Sequence, residues 1–200
     1  MSEELAWKAY DNKEFAKADQ IWTELLASER DETRRYDLFH GYAYTLCALR
    51  KFDLARLIYE HLYLVRENHI YLHQLGMVER ERGDYALAFA HIESEAAMIE
   101  EGKTELPVSL ALAANYYEQA KILELMKKIP EAKKLAEVSF HYACENPDEM
   151  VLGCSLRLLG DIALHADQAE AKDYYAMAKL AFEEAGDEIA VSEMEQKIGS

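Results

Sequence analysis

The chain has 200 residues, half of them hydrophobic and 30% charged, enough apolar material for a sizeable core in one domain or one continuous array. With 8 Gly and 3 Pro it lacks the punctuation of a β-sandwich or barrel built from many short strands. The formal charge of −16, from 22 Lys+Arg against 38 Asp+Glu, repels phosphate backbones and anionic lipid, so neither nucleic acid nor a membrane surface is the expected partner. The charge is uneven: residues 33–68 hold six basic and four acidic residues, and residues 147–200 hold four basic and twelve acidic. The plain reading of the acidic stretches is solvated helix faces.

The N-terminal stretch MSEELAWKAYDNKEF is charged and amphipathic and shows no secretory signal. No apolar run approaches the roughly 20 residues that span a bilayer. Cys47, Cys144 and Cys154 are too sparse for a disulfide framework or a thiolate zinc site. Reduced thiols and a cytoplasmic location are the expectation.

From the first residues onward the apolar pattern is helical, and one template recurs five times: an aromatic or apolar residue, Ala three later, a bulky apolar residue four after that. The copies are Phe15/Ala18/Trp22, Phe52/Ala55/Tyr59, Tyr85/Ala88/Ile92, Ile129/Ala132/Ala136 and Gln168/Ala171/Tyr175. Successive Ala residues stand 37, 33, 44 and 39 apart. Steps of three and four place all three positions on one helical stripe, and the small central residue implies a partner helix crossing at close range. The spacing predicts hairpins over about 3–29, 33–66, 68–100, 105–145 and 148–185, then a capping helix over 187–198. Pro107 opens the first helix of the fourth hairpin, and Pro147 stands ahead of the fifth. The segment EEGKTELP reads as a loop inside one array spanning 1–200.

Leu75, Gly76, Gly83, Asp84, Tyr85 and Ala88, echoed by Gly160, Ala171 and Tyr175, make the chain resemble the tetratricopeptide repeat (TPR) family over roughly residues 3–185. It looks most like the bacterial repeat proteins related to kinesin light chain and the peptide-sensing Rap-type regulators. The resemblance implies an all-α, right-handed superhelical solenoid whose first helices line a concave groove. The fifth copy departs from the pattern in Gln168 and in a turn one residue short.

Counting from Leu75-Gly76, the groove positions are His73, Met77 and Arg80, then His40, Tyr44 and Cys47 in hairpin two. Hairpin four gives Tyr117, Lys121 and Glu124, hairpin five gives Arg157, Asp161 and Leu164, and hairpin one gives Trp7 and Tyr10. Aromatic, His, Met and basic residues gather at one repeat phase of an acidic chain, and binding surfaces are enriched in such types. The candidate partner-binding set is therefore Trp7, Tyr10, His40, Tyr44, His73, Met77, Arg80, Tyr117, Lys121 and Arg157. The carboxylate clamp that holds chaperone tails needs Lys and Asn at the first hairpin's inward positions; Glu3 and Trp7 stand there instead.

No nucleophile elbow, phosphate loop or zinc motif is present. His69 and His73 share a helix face at i, i+4 but lack a third ligand, and both read as half-exposed. His165 and Asp167 read as a solvated turn. Adjacent carboxylates such as Glu100/Glu101 cannot face each other on a helix. Met77, Met98, Met126 and Met177 sit at core-like spacings. No enzyme activity, metal or cofactor is expected. The leading function is a module that holds a protein or peptide segment. The alternatives are a Rap-type peptide sensor working with a separate effector, and a self-associating subunit, a possible homodimer using Ile189, Val191, Met194 and Ile198 on the last helix.

Overall fold

The computed structural model describes residues 2–199. Among these, eleven α-helices follow one another and no strand occurs. They are α1 (Glu3–Asp11), α2 (Phe15–Ser28), α3 (Glu32–Ala48), α4 (Phe52–Arg66), α5 (His69–Arg82) and α6 (Tyr85–Glu100), then α7 (Val108–Leu125), α8 (Ile129–Cys144), α9 (Glu149–Ala163), α10 (Gln168–Ala185) and α11 (Glu188–Gly199). The chain divides into two compact units, Met1–His91 and Ile92–Ser200, with the division inside α6.

Helix starts and turns follow a rule. The first helices carry side-chain caps: Ser2 accepts from the Leu5 N–H, Asp31 from Arg34, Asn68 from Ile70 and Asp148 from Val151. α7 is the exception, with Pro107 at its N-cap rather than inside its first turn. The first-to-second turns of four hairpins share one backbone solution. Lys13, Arg50, Gly83 and Lys127, each five residues before the template Ala, all have positive φ, at 60°, 57°, 86° and 62°. Each turn closes with the same bond from the next residue back across five: Glu14 to Ala9, Lys51 to Leu46, Asp84 to Glu79, Lys128 to Leu123, at 2.8–3.0 Å. The fifth turn differs. Ala166 occupies the equivalent place without positive φ, and Asp167 instead accepts from the Ala169 and Glu170 N–H groups. Asp167 is thus the N-cap of α10 as well as an exposed residue of the turn.

The template residues are the core. Ala18, Ala55, Ala88, Ala132 and Ala171 are fully buried, and so are Trp22, Tyr59, Ile92, Ala136 and Tyr175 in the third position. In the first unit α2 packs against α1 and α3, and α4 against α3 and α5; in the second, α8 packs against α7 and α9, and α10 against α9 and α11. Each of these four second helices thus packs on a helix before and a helix after it, as stacked repeats require.

Close approach explains two glycines. A Cβ on Gly41 would stand 2.5 Å from the Trp22 ring, and one on Gly160 would stand 2.5 Å from Tyr175. Gly160→Ala should therefore lower the free energy of unfolding in urea by about 1–3 kcal/mol, because the tyrosine's hydroxyl is tied and the ring cannot swing aside freely. A neutral result would place the α9–α10 crossing elsewhere.

Two sequence expectations are corrected. Met177 is 48% exposed rather than core, because its position on α10 points away from α9 and α11. The last helix presents no exposed apolar stripe: Met194 is fully buried, Val191 and Ile198 pack against the α9–α10 cluster, and Ile189 alone of the four is exposed.

Candidate functional site

In the first unit, α1, α3 and α5 stand side by side, and residues at matching phases meet. Trp7 makes edge-on contacts with Tyr10 (5.7 Å), Trp22 (5.4 Å) and Tyr44 (5.9 Å between ring centres). Tyr44 also meets His40 at 5.2 Å, and its hydroxyl accepts a 2.9 Å hydrogen bond from the buried Gln74 amide on α5. His40 continues to Tyr59 and Tyr71. Trp7, Tyr10, His40 and Tyr44 are half-buried. They form one aromatic cluster, backed by the buried Gln74 and Tyr71, which the sequence count missed because they lie beside the chosen phase.

On α5, His73, Met77 and Arg80 are also half-buried, and Arg80 pairs with Glu81 at 2.6 Å. His69, expected to be half-exposed, is 4% exposed: it is the first residue of α5 and turns inward behind the Asn68 cap. The two histidines therefore do not present a common open face.

Burial governs the titration of His40. It lowers His40 below its ordinary value of 6.5, outweighing the opposing pull of Asp37, and burial acts likewise on His91. The folded state thus favours neutral rings, while the unfolded chain takes up protons near 6.5. The stability these groups contribute is held above that pH and lost as pH falls through and below it. The unfolding midpoint should drop over this window, and His40→Phe should flatten the drop while leaving the part due to His91. An unchanged profile in the variant would remove His40 from the account.

In the second unit the first-helix face has a different character. Tyr117, Lys121 and Arg157 are half-buried, and two lateral chains of polar contacts run across α7, α9 and α11. In one, Arg157 reaches the Tyr117 hydroxyl at 3.5 Å and Glu193 at 3.1 Å. In the other, Asp161 receives Lys197 at 2.8 Å and the Tyr175 hydroxyl at 2.9 Å, with Lys121 at 3.9 Å. Lys121 pairs more closely with Glu124 (2.9 Å), which also faces His165 at 3.5 Å. The Lys121 charge is held by these carboxylates against burial, so its pKa is raised. Lys121 and Arg157, the two cations of this unit expected to meet a ligand, are already engaged by acidic neighbours. Glu193 and Lys197 lie at the same phase as the predicted set, on the helix read as a cap and a possible dimer face.

Among the described residues no group of three His, Cys, Asp or Glu is placed to hold a metal, and no helix is long and apolar enough to cross a membrane. The three cysteines are free.

No family model matches the sequence, and no curated protein does. Solved structures do match. Bacillus thuringiensis PlcR, solved with the peptide PapR7 and DNA, superposes with a TM-score of 0.76 at 17% identity over 98% of this chain and 72% of that one. The TPR-like repeats of a kinesin light chain from Podosopora anserina give 0.67 at 16% identity over 92% and 93%. The fold is TPR-like. BtubC from P. vanneervenii shares it, with a TM-score of 0.69 at 14% identity over 92% of this chain and 79% of that one. The TPR-like fold accounts for the template directly: the recurrent Ala marks the helix crossing within each hairpin, and the phase chosen from Gly76 falls on the first helices.

Proposed function

We propose that this TPR-like chain is a non-enzymatic, cytoplasmic module that binds a peptide or an extended protein segment on its first-helix faces. The observation that carries the reading is the joined, half-exposed surface of Trp7, Tyr10, His40 and Tyr44. Rings held edge to edge by packing lose little freedom when a ligand arrives, which favours tight anchoring. The PlcR structure, of the same fold, holds the peptide PapR7, which supports a peptide as the ligand class. His73, Met77 and Arg80 extend the surface along α5. In the second unit Tyr117, Lys121 and Arg157 offer hydrogen bonds to ligand carbonyls while keeping their acidic partners.

The same likeness supports a second reading, a peptide sensor of the Rap type that acts through a separate effector protein.

Peptides selected by display against the chain would test the leading reading. Tyr44→Ala should weaken their binding by about 2 kcal/mol or more, whereas the exposed-face changes Glu93→Ala and Lys134→Ala should leave it unchanged. Tyr44→Phe separates the ring from its Gln74 bond and should retain most of the affinity. Loss of binding in the exposed-face variants with none in Tyr44→Ala would move the site to the second helices.

A further inference from the structure

On the side of α3 away from Tyr44, the first unit carries a second surface of another kind. Tyr42 and Leu46 lie roughly half a helical turn from Tyr44, and with Phe39 they floor a cleft of about 270 Å³. Leu54, Leu57, Ile58 and His61 on α4 form its wall. The periodicity of α4 makes this wall unusual. Ala55, Tyr59 and Leu62 are fully buried in the hairpin, as one apolar stripe of an amphipathic helix should be. A second stripe at 54, 57, 58, 61, 64 and 65 follows the same steps of three and four. Leu54, Leu57, Leu64 and Val65 on it are 51%, 55%, 82% and 46% exposed. Scattered exposed leucines need no explanation; a continuous stripe of about three turns beside an apolar cleft does.

Charge narrows the occupant. This hairpin is the basic part of a strongly acidic chain. The carboxylates beside the cleft are taken: Asp19 by Lys51 at 2.7 Å, Asp53 by Arg82 at 2.8 Å and Glu60 by Arg56 at 3.5 Å. Arg35 lies one turn before Phe39, 5.9 Å over its ring, and has no carboxylate partner among the described residues. The surface thus offers an apolar stripe ending in an uncompensated cation.

We propose that the α3–α4 cleft docks an amphipathic helix of an acidic partner protein. Its apolar face lies along Leu54, Leu57 and Phe39, and a carboxylate near one end pairs with Arg35. This is a helix-in-cleft contact, independent of the aromatic face on the other side of α3.

The probe is a fluorescent synthetic helical peptide with Leu at i, i+4, i+7 and i+11 and Glu on the flanking positions; its control carries Lys in place of Glu. Measured by anisotropy on the full chain, the acidic probe should bind about tenfold or more tightly than the basic one. Leu57→Glu, at a solvent-facing site where folding is readily checked by circular dichroism, should abolish binding. Arg35→Glu should reverse the preference between the two probes. Tyr44→Ala should not alter acidic-probe binding, so failure here and failure of the peptide-binding face are separate results. The proposal is overturned if both probes bind equally, if the acidic probe does not bind, or if Leu57→Glu has no effect. A dimer seen by sedimentation and dissolved by Leu57→Glu would also overturn it, making a second copy of this chain the occupant.

Discussion

Trp22→Ala should cost about 3–5 kcal/mol of stability in urea unfolding. The side chain is fully buried and is the largest in the core of the first unit. Its indole N–H donates to the buried Thr45 hydroxyl at 2.9 Å, its ring meets Trp7 edge-on, and the bare backbone of Gly41 lies beneath it. Neither Trp7 nor Gly41 can fill the void: Trp7 is held by Tyr10 and Tyr44, and Gly41 has no side chain to offer. Trp22→Phe keeps much of the volume, loses the Thr45 bond and should cost less than half as much. A loss below about 1 kcal/mol in the alanine variant would mean that α1, α2 and α3 do not pack as described.

Asn115→Leu should be the counterpart in the second unit, costing about 3 kcal/mol or more although it adds apolar surface to a buried site. Asn115 is fully buried. Its amide donates to the Ile92 carbonyl at 2.8 Å and to the buried Glu95 carboxylate at 2.9 Å, while its own oxygen accepts from Gln119 at 2.7 Å. A leucine removes one partner from each of these three groups at once, in a place water does not easily reach. Asn115→Asp should also destabilise, since it would set a second negative charge against Glu95. If the leucine variant is as stable as the parent, the network carries no weight in that unit.

Much of the fold was written in one recurrent residue. The alanine of each template is fully buried, and its regular spacing revealed the repeats even where aromatic and aliphatic neighbours varied. The phase of the first helices could then be counted from Gly76, and the residues it named lie on those helices. What the spacing could not carry was the identity of partners across helices. Glu193 and Lys197 neutralise Arg157 and Asp161 from 36 residues away, and nothing local to α9 marks them. The inward turn of His69 is a matter of one helical step at a cap, beyond the resolution of a periodicity argument. The exposed stripe of α4 was visible as apolar residues but not as exposed ones, because a pattern of threes and fours does not say which of two apolar faces finds a neighbour.

The turns differ in backbone strain. Lys13, Arg50 and Lys127 accept a left-handed backbone that favours glycine, at a cost of about 1–2 kcal/mol each, and the clamp across five residues offsets it. Those joints are locked in spite of their residues. The joint between α9 and α10 has neither the left-handed residue nor the bond across five; the Ala166 and Asp167 N–H groups both reach the Ala163 carbonyl at 2.9 Å, and Asp167 caps α10. Glycine at position 13, 50 or 127 would relieve the cost of the left-handed backbone, whereas the α9–α10 turn holds without that strain. His165 sits in it, facing Glu124 at 3.5 Å, and Lys121 holds the same carboxylate. Side chains of that turn, and not a strained backbone, tie it to α7.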